Sequence, residues 1–143
     1  MQTRLLNDAA LRTFAVVLDT DDEVVDCLQR FASENGLTAA SFTGLGALRQ
    51  VVVGYFDWQA KDYSRIEIAE QVEVLALTGN IALDGEKPKL HPHIVVGKRD
   101  GSAHGGHLLA GYVRPTLELV VTETPVHLRR HSDAETGLAL LRL

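Results

Sequence analysis

His91-Pro92-His93 and His104-Gly105-Gly106-His107 place four of the chain's six histidines within seventeen residues. Imidazole is the commonest protein metal ligand and the side chain that titrates nearest neutrality. Such a cluster can hold a divalent transition ion or move protons. In a strand, residues two apart point the same way. His91 and His93 therefore share one face, while Leu90, Ile94 and Val96 share the other and can enter a core. Pro92 between them donates no ladder hydrogen bond, which confines the stretch to a sheet edge or an irregular segment. A third ligand then has to come from a neighbouring strand.

Asp100-Gly101 lies between the two histidine pairs and is a two-residue hairpin signal. A regular ladder on that turn sets His107 opposite Ile94, on the wrong face. His104 takes the right face but stands far from His93. One extra residue at Gly105-Gly106, a β-bulge, instead sets His107 opposite Val95 and diagonal to His93, roughly 7–8 Å away between Cα atoms. The expected metal ligands are His91, His93 and His107, with His104 as second choice and a fourth position open to water or a ligand. Zinc leads on ligand type, followed by nickel, copper and iron. The same four histidines also fit a solvated strand, or hydrogen bonds at a subunit interface.

The elements that must position these residues are mostly short strands. Phe14–Leu18, Ala40–Thr43, Gln50–Phe56, Arg65–Ala69, Val72–Leu83 and Leu90–Gly97 read as strands, as do Leu108–Arg114, Leu117–Thr122 and Val126–Arg130. An apolar tail spans Leu138–Leu143. Asp-Gly, Gly-Asn and Arg-Pro turns join them, and connections this short favour antiparallel pairing over βαβ crossovers. One helix stands out, over residues 21–35. Thr20 and Glu23 form a capping box, Val24, Leu28, Phe31 and Ala32 an apolar stripe, and Asn35-Gly36 a stop. The fold class is α+β, a mainly antiparallel sheet with one principal helix, in a single domain over residues 1–143.

Composition narrows the function classes. The chain has 143 residues, 45% hydrophobic and 23% charged, which is an ordinary globular balance. Its one cysteine, Cys27, excludes an intrachain disulfide and reads as a buried small hydrophobe. No stretch approaches the roughly 20 apolar residues of a membrane span, and the start of the chain does not read as a signal peptide. The expected location is cytoplasmic. Net charge is −5, and the whole excess falls in residues 1–70, with 6 basic and 11 acidic side chains. That balance disfavours direct DNA binding, which draws on neutralised phosphates.

In this order, Leu77-Thr78-Gly79-Asn80-Ile81, His91-Pro92-His93, Gly105-Gly106-His107-Leu108 and Thr116-Leu117-Glu118 resemble the PPC (plants-and-prokaryotes conserved) domain. The likeness runs from Gly44-Leu45-Gly46-Ala47 through Tyr55-Phe56-Asp57 to Arg130-x-x-Asp133-x-x-Thr136-Gly137, almost the whole chain. The resemblance implies a compact α+β domain that assembles as a homotrimer. It also implies a histidine-bound metal in some prokaryotic members, with ligand positions at His91, His93 and His107. Plant members follow an AT-hook and meet transcription factors through a Gly-Arg-Phe-Glu-Ile-Leu hexapeptide. This chain has no Arg-Gly-Arg-Pro hook, and Glu70-Gln71-Val72-Glu73-Val74-Leu75 keeps only the glutamate and leucine.

Other residues offer less. Gly44-Leu45-Gly46 reads as a turn between strands rather than an anion loop. Glu118 could orient a ligand histidine or act as a general base beside bound water, and equally could face solvent. Arg130 reads first as a partner of Asp133, then as an anion site or trimer contact. His127 and His131 read as surface residues, and Tyr55, Trp58 and Tyr63 as pocket or interface. Three functions follow: a trimeric metal-binding protein acting as a ligand-sensing or DNA-associated regulator, a metal-dependent enzyme on a small molecule, or a structural oligomer with an empty cluster. The expected partners are two further copies of the chain and a small-molecule or anion ligand.

Overall fold

A computed structural model describes residues 1–7, 11–125 and 127–142; Val126, the first residue of an expected strand, and Leu143, the last of the apolar tail, lie outside the described residues. The elements in chain order are β1 (Gln2–Asn7), β2 (Thr13–Asp19), α1 (Val24–Glu34), β3 (Ala39–Asp57) and β4 (Asp62–Ile68). They continue as β5 (Val72–Asp84), β6 (Lys87–Gly97), β7 (Ala103–Glu123), β8 (Arg129–Ser132) and β9 (Ala139–Arg142). All described strands join one sheet, antiparallel except where β5 meets β8. No described helix is long and apolar enough to cross a membrane.

Two long strands organise the sheet. β3 runs against β7 from Ala40↔Glu123 to Gly54↔His107. The other edge of β3 takes β5 first and β4 afterwards. The other edge of β7 takes β6 beside His107 and β2 further along. Because β6 also pairs with β5 along its length, the circuit β3–β5–β6–β7 closes on itself. That closure brings the β6 histidines onto the start of β7.

Helix α1 covers this sheet and packs against β6 and β7. Its buried face is Val24, Cys27, Leu28, Phe31 and Ala32, and Phe31 meets Phe14 edge to face at 5.2 Å. Burying each of the larger side chains contributes about 1.5–3 kcal/mol. The helix starts later than the capping box implies. Glu23, not Thr20, is the N-cap and accepts from Asp26 N at 2.7 Å, while its second oxygen accepts from Gly111 N at 2.9 Å. One carboxylate thus caps the helix and pins it to β7. Thr20 instead donates to the Pro115 carbonyl at 3.1 Å.

Two expected breaks are absent. Gly44-Leu45-Gly46 is no turn: β3 passes through it with a bulge opposite β5. A Cβ at Gly44 would lie 2.8 Å from Leu119 Cγ, and one at Gly46 would strike the β7 backbone at Thr116 and Leu117. These glycines mark close strand approach. Arg114-Pro115 is likewise no turn, because Pro115 sits in the irregular interval of β7 between Val113 and Leu117, where a missing N–H costs no ladder bond. β1, which pairs with β2, carries no sequence signal strong enough to have been read.

Candidate metal centre

The hairpin between β6 and β7 decides where the histidines meet. Its register pairs His93↔His107, Ile94↔Gly106, Val95↔Gly105, Val96↔His104 and Gly97↔Ala103, with no bulge at Gly105-Gly106. The extra residue lies in the turn instead. Gly101 N bonds Lys98 O at 2.9 Å, Lys98 N bonds Ser102 O at 2.9 Å, and Gly101 has φ 82°. This is a three-residue loop with glycine in the left-handed position, and Asp100 Oδ1 accepts from Ser102 N at 2.9 Å within it. His107 therefore stands directly opposite His93 rather than diagonal to it. His104 falls opposite Val96 with the other parity, exposed, and outside the cluster.

The glycine pair has a different purpose from a bulge. A Cβ at Gly105 would lie 2.7 Å from Ile94 O, and one at Gly106 would lie 2.7 Å from Gly54 O. Both glycines let β7 pass closely between β6 and β3. Gly54 on β3 pairs with His107, and a Cβ there would sit 2.7 Å from Tyr63 Cδ1. With that space open, the Tyr63 ring lies over Gly54 and stacks on His107, centroids 4.7 Å apart and planes 20° apart.

His91, His93 and His107 offer ligand nitrogens that all lie within 4.8 Å of one another. His91 Nε2 and His93 Nε2 are 3.3 Å apart. Two imidazole nitrogens on a tetrahedral zinc, each about 2.0–2.1 Å from the ion, are separated by about 3.3–3.4 Å. Nδ1 of His107 is buried with no hydrogen-bond partner, which costs stability. Burial, then the neighbouring His91 and His93, pushes the His107 pKa down to about 4, and burial lowers that of His91. Neutral imidazole is the form that binds metal. The group can hold a metal ion.

Beside the cluster, Arg130 on β8 is 7% exposed. It makes no pair with Asp133, contrary to the sequence reading. Asp133 instead accepts from Thr136 N and Thr136 Oγ1, each at 2.9 Å, in the turn before β9. Arg130 reaches Asn80 Oδ1 through Nη2 and Ala139 O through Nη1 at 3.2 Å, and its Nε is buried without a partner. Glu118 lies far along β7, exposed, paired with Val17 and Leu45, and lines a different cleft from the histidines. It is in no position to serve them as a base. His127 and His131 are exposed, and Cys27 is buried. Tyr55 and Trp58 are exposed, so only Tyr63 of the three aromatics reaches the site. Asn80 stands in the Leu77–Ile81 run quoted for the family resemblance but was given no role there; the structure places it opposite His91 and against Arg130.

Fold and histidine geometry together define a class of protein, and comparison with known proteins gives it a family. The model of the Plants and Prokaryotes Conserved (PCC) domain matches residues 6–125, and the chain belongs to that family. Among solved structures, a candidate DNA-binding protein from Bacteroides thetaiotaomicron superposes with TM-score 0.87 at 29% identity, covering 98% of this chain and 96% of that one. A plant- and prokaryote-conserved protein from Pyrococcus horikoshii gives 0.86 at 26%, covering 99% and 95%. A metal-containing protein from Archaeoglobus fulgidus gives 0.84 at 32%, covering 99% and 97%. Among curated proteins, bifunctional protein GlmU from Synechococcus sp. (strain JA-3-3Ab) is 30% identical over 141 residues, 96% of this chain. The chain spans only 21% of that relative's length.

Proposed function

We propose that this chain is a homotrimeric metal-binding protein that holds one divalent ion, zinc first by ligand type, on His91, His93 and His107, and senses a small ligand there. One observation carries the reading: three imidazoles converge from two strands, one with a buried nitrogen left without a partner. A bound ion would supply a Lewis-acid position for an oxygen ligand. The similarity to a metal-containing archaeal protein supports the same reading.

The trimer is supported by a shallow apolar cleft on the sheet where Leu45 is 63% exposed, Leu75 52% and Val120 46%. Large apolar residues grouped this way are the usual mark of a protein interface. A regulatory role through direct DNA contact is the weaker reading, given the acidic charge of −5.

Elemental analysis of the purified protein tests the proposal. About one ion per chain is expected in wild type and none above background in His93→Ala. Because the His93 side chain is exposed, the circular dichroism of that variant should be unchanged. Equal metal in both proteins, or none in wild type after incubation with zinc, sinks the reading.

A further inference from the structure

We infer that Arg130 and the histidine centre form one binding cleft for a small organic carboxylate. The inference rests on the metal reading above and names the class of ligand the site would take. A cleft of about 250 Å³ borders His91, His107 and Arg130, with Tyr63, Leu90 and Leu140 among its walls. No aspartate or glutamate lines it.

Arg130 is the unusual residue. It is more than nine-tenths buried, yet its described hydrogen-bond partners are neutral, the Asn80 amide and the Ala139 carbonyl. Nearby carboxylates are engaged elsewhere: Asp84 with Lys89 at 2.8 Å, Asp133 with Thr136. Asp84 offsets part of the Arg130 charge from a distance but makes no described ion pair or hydrogen bond with it. A buried guanidinium N–H left without an acceptor is unfavourable unless something completes it. Of its five N–H donors, two are used and Nε–H has no acceptor. A divalent ion on three neutral histidines would add further positive charge to the same cleft. The site is thus built for an anion.

Size and walls narrow the class. Ligand pockets generally run from about 300 Å³ upward, so this cleft suits a molecule of only a few non-hydrogen atoms. Tyr63, Leu90 and Leu140 offer a carbon body apolar contact. The planar guanidinium fork matches a carboxylate. Inorganic phosphate, with more oxygens to satisfy and no apolar part, fits less well.

Propionate is a suitable probe, with propionamide as its neutral counterpart. Protein loaded with cobalt(II) should show a saturable change in visible absorption with propionate and none with propionamide. Arg130→Gln should keep its cobalt and bind propionate at least tenfold more weakly. On zinc-loaded wild type, the Arg130 Nε–H resonance should shift along the same binding curve, a readout that does not depend on the variant folding. Equal propionate affinity in Arg130→Gln, an unmoved Nε–H resonance at saturation, or tighter binding of phosphate than of propionate overturns the inference. If wild type takes up no cobalt or zinc, the metal reading fails by itself. The Nε–H titration of the metal-free protein then decides the carboxylate site, a shift supporting it and no shift overturning it.

Discussion

At the scale of single residues, the site depends on atoms that are missing as much as on those present. Gly54 has no side chain, so Tyr63 can lie across it and stack on His107. Restricting the ring in this way holds His107 against His91 and His93, with centroids 5.2 and 5.4 Å away. Gly54→Ala should therefore push Tyr63 off the imidazole. Zinc affinity, measured by competition with a chelator, is expected to fall about tenfold, as when a group that orients a ligand is lost. Overpacking should also lower stability by about 1–3 kcal/mol. Unaltered affinity would show that the stack does not position His107. The pairing of His91 with His93 was legible in the sequence because strand parity is local. His107 was reached through the family resemblance and a Gly105-Gly106 bulge that the structure replaces with a longer turn. Tyr63 was legible only as an aromatic without a place, since its partner is reached through a third strand.

At the scale of elements, the clearest lesson comes from the β6–β7 hairpin. Asp100-Gly101 signals a turn correctly but not its length. Glycine serves equally as the second residue of a two-residue turn or as the left-handed residue closing a three-residue one. One residue changes the parity of every pair beyond it. The expected bulge and the observed loop both put His107 on the face of His93, but only the loop sets them opposite. A second element-scale device joins β2, α1 and β7. Arg12 holds Glu123 through Nε at 2.8 Å and Nη2 at 2.5 Å, and also donates to Asn35 O at 3.0 Å. The Arg12 guanidinium keeps the Glu123 carboxyl below its ordinary value of 4.5. A carboxylate with a lowered folded pKa adds stability that is fully present above its unfolded pKa and is lost as pH falls through the folded one. Glu123→Gln should cost about 1–2 kcal/mol at neutral pH, allowing for partial exposure of both side chains. That deficit should shrink toward zero as the pH falls below about 4. Denaturant melts of both proteins at several pH values check it, and a deficit independent of pH would mean that the ion pair is not its source.

At the scale of the whole molecule, the sheet leaves the apolar cleft around Leu45, Leu75 and Val120 uncovered. Leu45 lies at the bulge of β3 and Leu75 at the bulge of β5, both exposed and both bordering the same cleft. Each leucine follows the inside–outside alternation of its own strand, next after buried Gly44 and buried Val74, and so points to the outer face. Under the trimer proposal, wild type should sediment as three chains of 15.6 kDa. The double variant Leu45→Asp, Leu75→Asp should sediment as one, since paired charges at an interface core are strongly disfavoured. A monomeric wild type at micromolar concentration, or an unaffected variant, would count against this interface.

The sequence by itself determined the class of the fold, the helix with its buried stripe, most strand cores and the identity of the three clustered histidines. The helix, the strand cores and the His91/His93 pair rest on periodicity or spacing within a few residues, where backbone geometry leaves little choice. His107 was added by the family resemblance and by a bulge that the structure does not contain. Only the tertiary structure decided the rest. It merged strands across Gly44-Leu45-Gly46 and across Arg114-Pro115, because close packing against a neighbouring strand explains those glycines and that proline better than a turn does. It separated Glu118 from the histidines and turned Arg130 from Asp133 toward Asn80. Those outcomes depend on which strands lie side by side in a sheet that closes on itself, and no local pattern of residues encodes that.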